Sequence, residues 1–187
     1  MADRLVVRRA NPGDARALVE LAEAVASEPE GWLISDGAWR TAGEERRFLR
    51  ALRRYSDAAV YVAELVQDTG GSILSASTQR RLVGRLSLGR DPHPASRHVA
   101  DLGLMVASGH RRRGIGRALL AEAVDWARRS GVRKLELHVF PHNEAAIALY
   151  ESAGFQREGL RRAHYRRGDE YVDAILMALH VEEDAPS

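Results

Sequence analysis

Apolar and polar residues along this chain change period repeatedly, and each change predicts an element. Residues 5–8 read as a short strand, two valines flanked by charge. Asn11 and Pro12 stand before Leu18, Leu21, Ala22 and Val25, a stripe at helical spacing with a cap and a proline at its start. Residues 27–32 are a loop by composition. Thr41 with Glu44 then forms a capping box ahead of Phe48, Leu49, Leu52 and Tyr55, a second helical stripe. Residues 59–66 are β-rich, and 67–79, polar with Gly70-Gly71, predict a hairpin or flexible loop. Two more strands, 81–88 and 98–106, flank Asp91-Pro92-His93-Pro94. Ile115, Leu119, Leu120, Ala123 and Ala127 share a helix face that should end at Gly131, a residue suited to a left-handed cap. Leu135, Leu137 and Val139 alternate with Glu136 and His138, a strand. Asn143 caps a helix over 144–153 closed by Gly154. Residues 155–179 hold two strand-like runs around Arg167-Gly168-Asp169-Glu170.

The order is strand, two helices, three strands, helix, strand, helix, two strands. Most neighbouring strands can pair antiparallel, while the crossover through the Ile115 helix joins parallel ones. The class is therefore α/β with a mixed, mostly antiparallel central sheet and helices on both faces. Residues 1–181 are expected to form one domain and 182–187 to be frayed.

Composition narrows the chemistry. With no cysteine among 187 residues, disulfides, thiolate metal sites and a cysteine nucleophile are excluded, and no metal site is expected. No apolar stretch approaches the roughly 20 residues that cross a bilayer, and the N-terminus lacks the apolar core of a signal peptide. The expectation is a cytoplasmic protein with no membrane partner. Net charge is only +2 and aromatics are 6%, so a nucleic-acid surface with stacking groups is not expected. Nearly all the basic residues are arginine, which reads first as compositional bias.

One stretch carries chemistry: Asp101 to Gly116, DLGLMVASGHRRRGIG. A short apolar strand, a loop with three arginines and the pair Gly114 and Gly116, then a helix start, make an anion site in outline. A helix's first turn leaves N–H groups without internal partners, and its dipole adds positive potential. A Walker A loop fails because Arg117 and Ala118 stand where Lys and Ser/Thr are needed. The dinucleotide fingerprint fails at Leu119, where a third glycine or alanine belongs. The plain alternative is a strand–turn–helix corner with a solvated basic turn.

The sequence resembles the GCN5-related N-acetyltransferases (GNAT), bacterial members acting on small amines or amino acids in particular. Arg111-Arg112-Arg113-Gly114-Ile115-Gly116 is similar to the family's Arg/Gln-x-x-Gly-x-Gly/Ala loop. Asn143 to Tyr150, followed by Gly154-Phe155, is similar to its Asn-x-x-Ala-x-x-Leu-Tyr motif. The resemblance implies acetyl-CoA as cosubstrate, its diphosphate on the N–H groups of Arg112, Arg113, Gly114, Ile115, Gly116 and Arg117 beside Arg111. It implies that the strand of Leu104, Met105 and Val106 splays from its neighbour and pairs its backbone with the pantetheine arm. An N–H near Met105 or Val106 would stabilise the oxyanion, and Asn143 would hydrogen-bond the arm.

Acetyl transfer to an amine also needs a base for the ammonium and an acid for the leaving sulfur. The resemblance implies Tyr150 as acid; the alternative is a core tyrosine. His138 stands where some members carry a glutamate base, and Asp101, opening the other splayed strand, is the alternative base. Without cysteine, direct transfer in a ternary complex is expected. The 28–32 loop, the second helix and residues 163–167 should shape the acceptor pocket, with Glu28 and Glu30 drawing a cation and Trp32 packing on it. The reading is an N-acetyltransferase acting on a small-molecule primary amine or amino acid. Its rivals are a protein N-terminal or lysine acetyltransferase, a non-catalytic acyl-CoA sensor, and a basic nucleic-acid-associated domain. The family is compatible with a homodimer, which nothing in the pattern demands.

Overall fold

Strand β2 (Ala58–Thr69) sends Tyr61, Ala63 and Leu65 into one core and Val60 and Val62 into another. Successive side chains of a strand point to opposite faces, so a strand apolar at both parities is covered on both sides. In the computed structural model, which describes residues 3–33, 39–69 and 77–181, the first face is covered by α3 (Ile115–Ser130) and α4 (Glu144–Ser152). The second lies under α1 (Ala15–Ala26) and α2 (Ala42–Leu52).

Seven strands form one sheet in the order β1 (Arg4–Arg9), β2, β3 (Ser77–Arg90), β4 (Val99–Val106), β5 (Lys134–Val139), β7 (Glu170–His180), β6 (Gln156–Arg167). Only β4 and β5 pair in parallel, joined through α3; every other pairing is antiparallel. This is the mixed, mostly antiparallel sheet expected, with the same order of elements.

Where boundaries moved, local chemistry explains it. Asn11 caps a 3-10 turn, Pro12–Asp14, and α1 begins only at Ala15. Asp14 reaches back to the Asn11 N–H at 2.7 Å, closing the turn before the helix can propagate. The Thr41–Glu44 box does start α2, but the helix stops at Leu52, and Tyr55, expected on its stripe, is exposed. Strands β2 and β3 run further into the polar 67–79 segment than its composition suggested, with residues 70–76 outside the described ones. Gly131 ends α3 at φ 68° as expected. The tail at 182–187 also lies outside the described residues.

Gly84 positions α3 on the sheet. A Cβ there would stand 3.1 Å from Leu119 and 3.2 Å from Ile115, so the missing side chain lets the first turns of α3 settle on β3.

Candidate active site

Strands β4 and β5 pair only at Val99/Lys134, Ala100/Leu135 and Asp101/Glu136. Beyond that, β4 stays with β3 as far as Val106 and β5 stays with β7 as far as Val139. Two neighbouring strands held by different partners must part, and they open a V-shaped crevice floored by Asp101 and Glu136. The Ala107 N–H donates to Val83 O at 2.9 Å and the Asp91 N–H to Val99 O at 3.0 Å, so odd-numbered residues of β4 bond to β3. Leu104 and Val106 therefore turn their backbone groups into the crevice. The Met105 backbone faces β3 instead, which corrects its expected place on the free edge; its side chain shares the α1/α2 face with Arg85, its register partner. Arg111 Nε donates to Val106 O at 3.1 Å, leaving the Val106 N–H as the crevice donor nearest the loop.

The loop after β4 carries the residues expected to form an anion site. Gly114 sits at φ 79° with nothing within 4 Å of where a Cβ would be, and it precedes α3 without any side-chain cap. The first-turn N–H groups of Ile115, Gly116 and Arg117 thus lack a capping oxygen, at the positive end of a 16-residue helix. The Ile115 side chain is buried in the core, so only its N–H can serve a ligand. Arg112 also takes a left-handed conformation, φ 61°, a strained geometry for a residue with a Cβ. Arg112, Arg113 and Arg117 are exposed around this end, and Arg113 pairs with Asp3 at 3.4 Å.

Two expected members of the loop do something else. Arg111 is gripped by Glu28, Nη1 and Nη2 each 2.7 Å from a carboxylate oxygen. Its side chain braces the crevice rather than facing an anion, and Glu28 is committed to it rather than free to draw a cationic amine. A Cβ at Gly116 would fall 2.7 Å from Leu149 Cδ2, so this glycine serves the approach of α4 to α3.

On the opposite lip, Asn143 Oδ1 accepts the Ala146 N–H at 3.1 Å and caps α4. Its amide NH2 makes no hydrogen bond among the described residues. Tyr150, two turns further along α4, has a buried ring tilted against Phe155 at 5.8 Å. Its hydroxyl has no hydrogen-bond partner among the described residues, and it is not sealed off from accessible space. Burial pushes its pKa up to about 12.

The α1/α2 face of the crevice gathers titratable groups. Asp101, Glu136 and His138 share it through the strand registers. His138 Nδ1 lies 2.5 Å from the Tyr165 hydroxyl, and the ring of His164 packs on it edge-on at 5.2 Å. Burial, then the charges of Arg161 and His164, lower the His138 pKa, against a smaller pull from Glu136. Asp101 is open to solvent on one side, yet desolvation by the strands around it and the nearby Glu136 and Asp91 raise its pKa, with Arg161 opposing.

A roof crosses this face. Glu28 holds Arg111 on the β4 side, while His142 Nε2 meets Glu30 O at 3.1 Å and Arg167 donates to Gly31 O at 2.6 Å on the β5 side. Trp32 stacks on His142, which stacks on Phe140, with centroids 5.8 and 5.4 Å apart. The 28–32 loop, expected at the acceptor pocket, therefore spans the crevice mouth.

Sequence reasoning missed Tyr165, Arg161, Phe140 and His142 as individuals. Phe140 and His142 flank the strand end before Asn143, and a stacking partner for Trp32 could have been sought there. Tyr165 gave no signal, because its direction depends on a register break that no glycine or proline marks.

The profile described as acetyltransferase (GNAT) family matches residues 37–155. The chain is 39% identical to L-amino acid N-acetyltransferase AaaT of Escherichia coli over 52% of this chain and 60% of that protein. It is 37% identical to N-alpha-acetyltransferase RimI of Mycobacterium tuberculosis over 71% of both. It spans about half the length of other curated relatives. The fold is shared with YncA of Salmonella typhimurium, solved with its cofactor acetyl-CoA: TM-score 0.77, 22% identity, 97% of this chain and 96% of that one.

Proposed function

The chain belongs to the acetyltransferase (GNAT) family, and from that premise we propose that it transfers the acetyl group of acetyl-CoA directly to a primary amine of a small molecule or amino acid. The observation that carries this is the parting of β4 from β5 beyond Asp101 and Glu136, beside the uncapped start of α3.

The residues fit the cosubstrate. Uncapped N–H groups at 115–117, with open space at Gly114 and arginines 112, 113 and 117 around them, suit a diphosphate. Crevice-facing backbone at Leu104 and Val106 and the Asn143 amide suit an extended arm rich in amides. Acetyl-CoA supplies an acyl group already activated as a thioester.

The chain's own residues do the rest. His138, neutral at physiological pH, takes a proton from the ammonium so that a nitrogen lone pair can attack; Asp101 is the alternative, acting through water. The Val106 N–H faces negative charge developing on the carbonyl oxygen. Tyr150 holds its proton against the departing sulfur. The roof at 28–32 excludes water and narrows the approach, which favours a small acceptor over an extended peptide.

A second reading, acetylation of a protein N-terminus, is favoured by the likeness to RimI. One assay separates these: thiol release from acetyl-CoA with free amino acids, simple amines and N-terminal peptides, for wild type and Tyr150→Phe. Turnover with free amines and loss in the variant are expected. Tight CoA binding with no turnover of any amine would leave a sensing module instead.

A further inference from the structure

Strand β6 breaks register between Arg161 and Tyr165, and from there Tyr165 reaches His138 on β5, two strands away. Arg161 pairs with Ala174 and Tyr165 with Val172, so residues 162–164 stand opposite the single residue Asp173. Within this bulge Ala163 is held at φ 48°, a left-handed conformation that a residue with a Cβ adopts only under constraint. The constraint is visible: Asp173 Oδ1 accepts the Ala163 N–H at 2.7 Å. Bulges re-aim side chains, and this one turns His164 and Tyr165 onto the His138 ring. Tyr165 packs against Phe140 at 6.3 Å and His164 at 4.7 Å, which fixes its ring as well.

We propose that Tyr165 is a positioning residue that selects the working tautomer of His138, with the Asp173-pinned bulge setting its place. His138 donates its Nδ1–H to the Tyr165 oxygen, and Nε2 keeps the lone pair that takes the amine's proton. The inference rests on His138 being the base.

The opposite arrangement, with Tyr165 donating to Nδ1, would put the ring's only proton on Nε2 and leave nothing to accept one. A base role for Nε2 requires the first. Burial raises the Tyr165 pKa most, with Arg161 opposing and Asp101 adding a smaller push, so the phenol stays protonated and neutral. Its oxygen carries lone pairs that can accept the Nδ1–H once the hydroxyl hydrogen is rotated away. When Nε2 gains a proton, the imidazolium keeps its Nδ1–H bond to Tyr165, with Glu136 and Asp101 on the same face. Arg161 and His164 oppose that charge from β6, so the proton is released readily afterwards.

The test uses the full chain with 15N-labelled histidine and the best amine found. Wild type should show bare Nε2 and protonated Nδ1 at His138. Tyr165→Phe should mix the tautomers and lower kcat roughly tenfold to a hundredfold, with KM for acetyl-CoA unchanged. Asp173→Ala should shift the tautomers the same way, and adding Ala163→Gly, which accepts the left-handed geometry freely, should restore them in part. His138→Gln separates the two layers. If it removes the acid limb of kcat while Tyr165→Phe leaves tautomer and kcat unchanged, Tyr165 has no positioning role and the base stands. If His138→Gln keeps both activity and limb, His138 is not the base and the inference goes with it.

Discussion

Arg111 and Glu28 meet in a two-pronged ion pair, both N···O distances 2.7 Å, and the third donor of the same guanidinium holds the carbonyl of Val106. One side chain thus ties the roof over the acceptor face to the end of the strand that lines the crevice. A lysine offers one compact charge and cannot make this three-point contact. Arg111→Lys should therefore raise KM for the amine severalfold and lower stability by about 1–3 kcal/mol. Steady-state kinetics and thermal unfolding check this. An effect confined to KM for acetyl-CoA would return Arg111 to the anion site.

Gly114 and Gly116 should fail differently. A side chain at Gly114 meets no protein atom within 4 Å but must sit at φ 79°, at a cost of about 1–2 kcal/mol. Gly114→Val should fold with modest loss of stability and bind CoA at least tenfold more weakly, read by calorimetry. Unchanged affinity in the folded variant would remove the anion cradle. Gly116→Ala pushes on Leu149, so its defect should be largely relieved by adding Leu149→Ala.

These two glycines also show how far the sequence reached. Periodicity, caps and turn residues gave the order of elements, because each depends on neighbours within a few positions. The Asn143 cap and the Gly131 stop are such cases. The motif placed Gly116 in the loop, but not its contact with Leu149, 33 positions away. Met105 was assigned to the crevice because strand register, which decides backbone direction, is a property of the pair β3 and β4. Tyr165 stayed invisible for a related reason: its direction comes from a bulge fixed across strands by Asp173. Local chemistry is legible in one chain segment, whereas geometry between segments is not.

Glu45 on α2 and Arg85 on β3 form an ion pair at 2.9 Å in which Glu45 is 0% and Arg85 3% exposed. Trp39 lies over the guanidinium at 5.0 Å, and Arg40 reaches the other carboxylate oxygen at 3.2 Å. Removing one partner strands a buried charge, so Glu45→Ala should cost about 3–5 kcal/mol in urea unfolding. Replacing both by apolar residues, Glu45→Leu with Arg85→Met, should recover most of that loss. Additive losses in the double variant would mean that each side chain stabilises the fold independently of the other.

In the proposed mechanism, histidines set the acid side of both stability and rate. His138 is lowered from 6.5 by burial, Arg161 and His164, and His110 by burial, Arg81 and Arg113. A histidine with a folded pKa below its unfolded one is bound in its neutral form, so its contribution is whole above about 6.5 and is lost as pH falls toward the folded value. Stability should therefore decline below pH 6.5, with less decline in His110→Gln. The rate limb from a neutral His138 must also lie below 6.5. Asp101 is raised from 3.8, so a limb between these values fits either base, and only its disappearance in His138→Gln or Asp101→Asn assigns it.

Tyr150 separates catalysis from packing most cleanly. Its ring fills the core against Phe155, which Tyr150→Phe preserves, and its hydroxyl has no partner among the described residues to lose. Removing a hydroxyl that holds no protein partner and opens to accessible space should leave stability within about 0.5 kcal/mol. A core tyrosine and a catalytic one therefore predict the same melting temperature but different rates. At a pKa of about 12 the phenol stays protonated throughout the working range, and the leaving alkyl thiolate, the weaker base of the two, does not remove its proton outright. In the proposed mechanism its contribution is a hydrogen bond that strengthens as charge gathers on sulfur, completed by the proton the amine gives up. Tyr150→Phe should then lower kcat roughly a hundredfold or more, with CoA affinity and melting temperature nearly unchanged and no basic limb lost below about pH 10. Wild-type kcat in that variant would make Tyr150 a packing residue and move protonation of the sulfur to water.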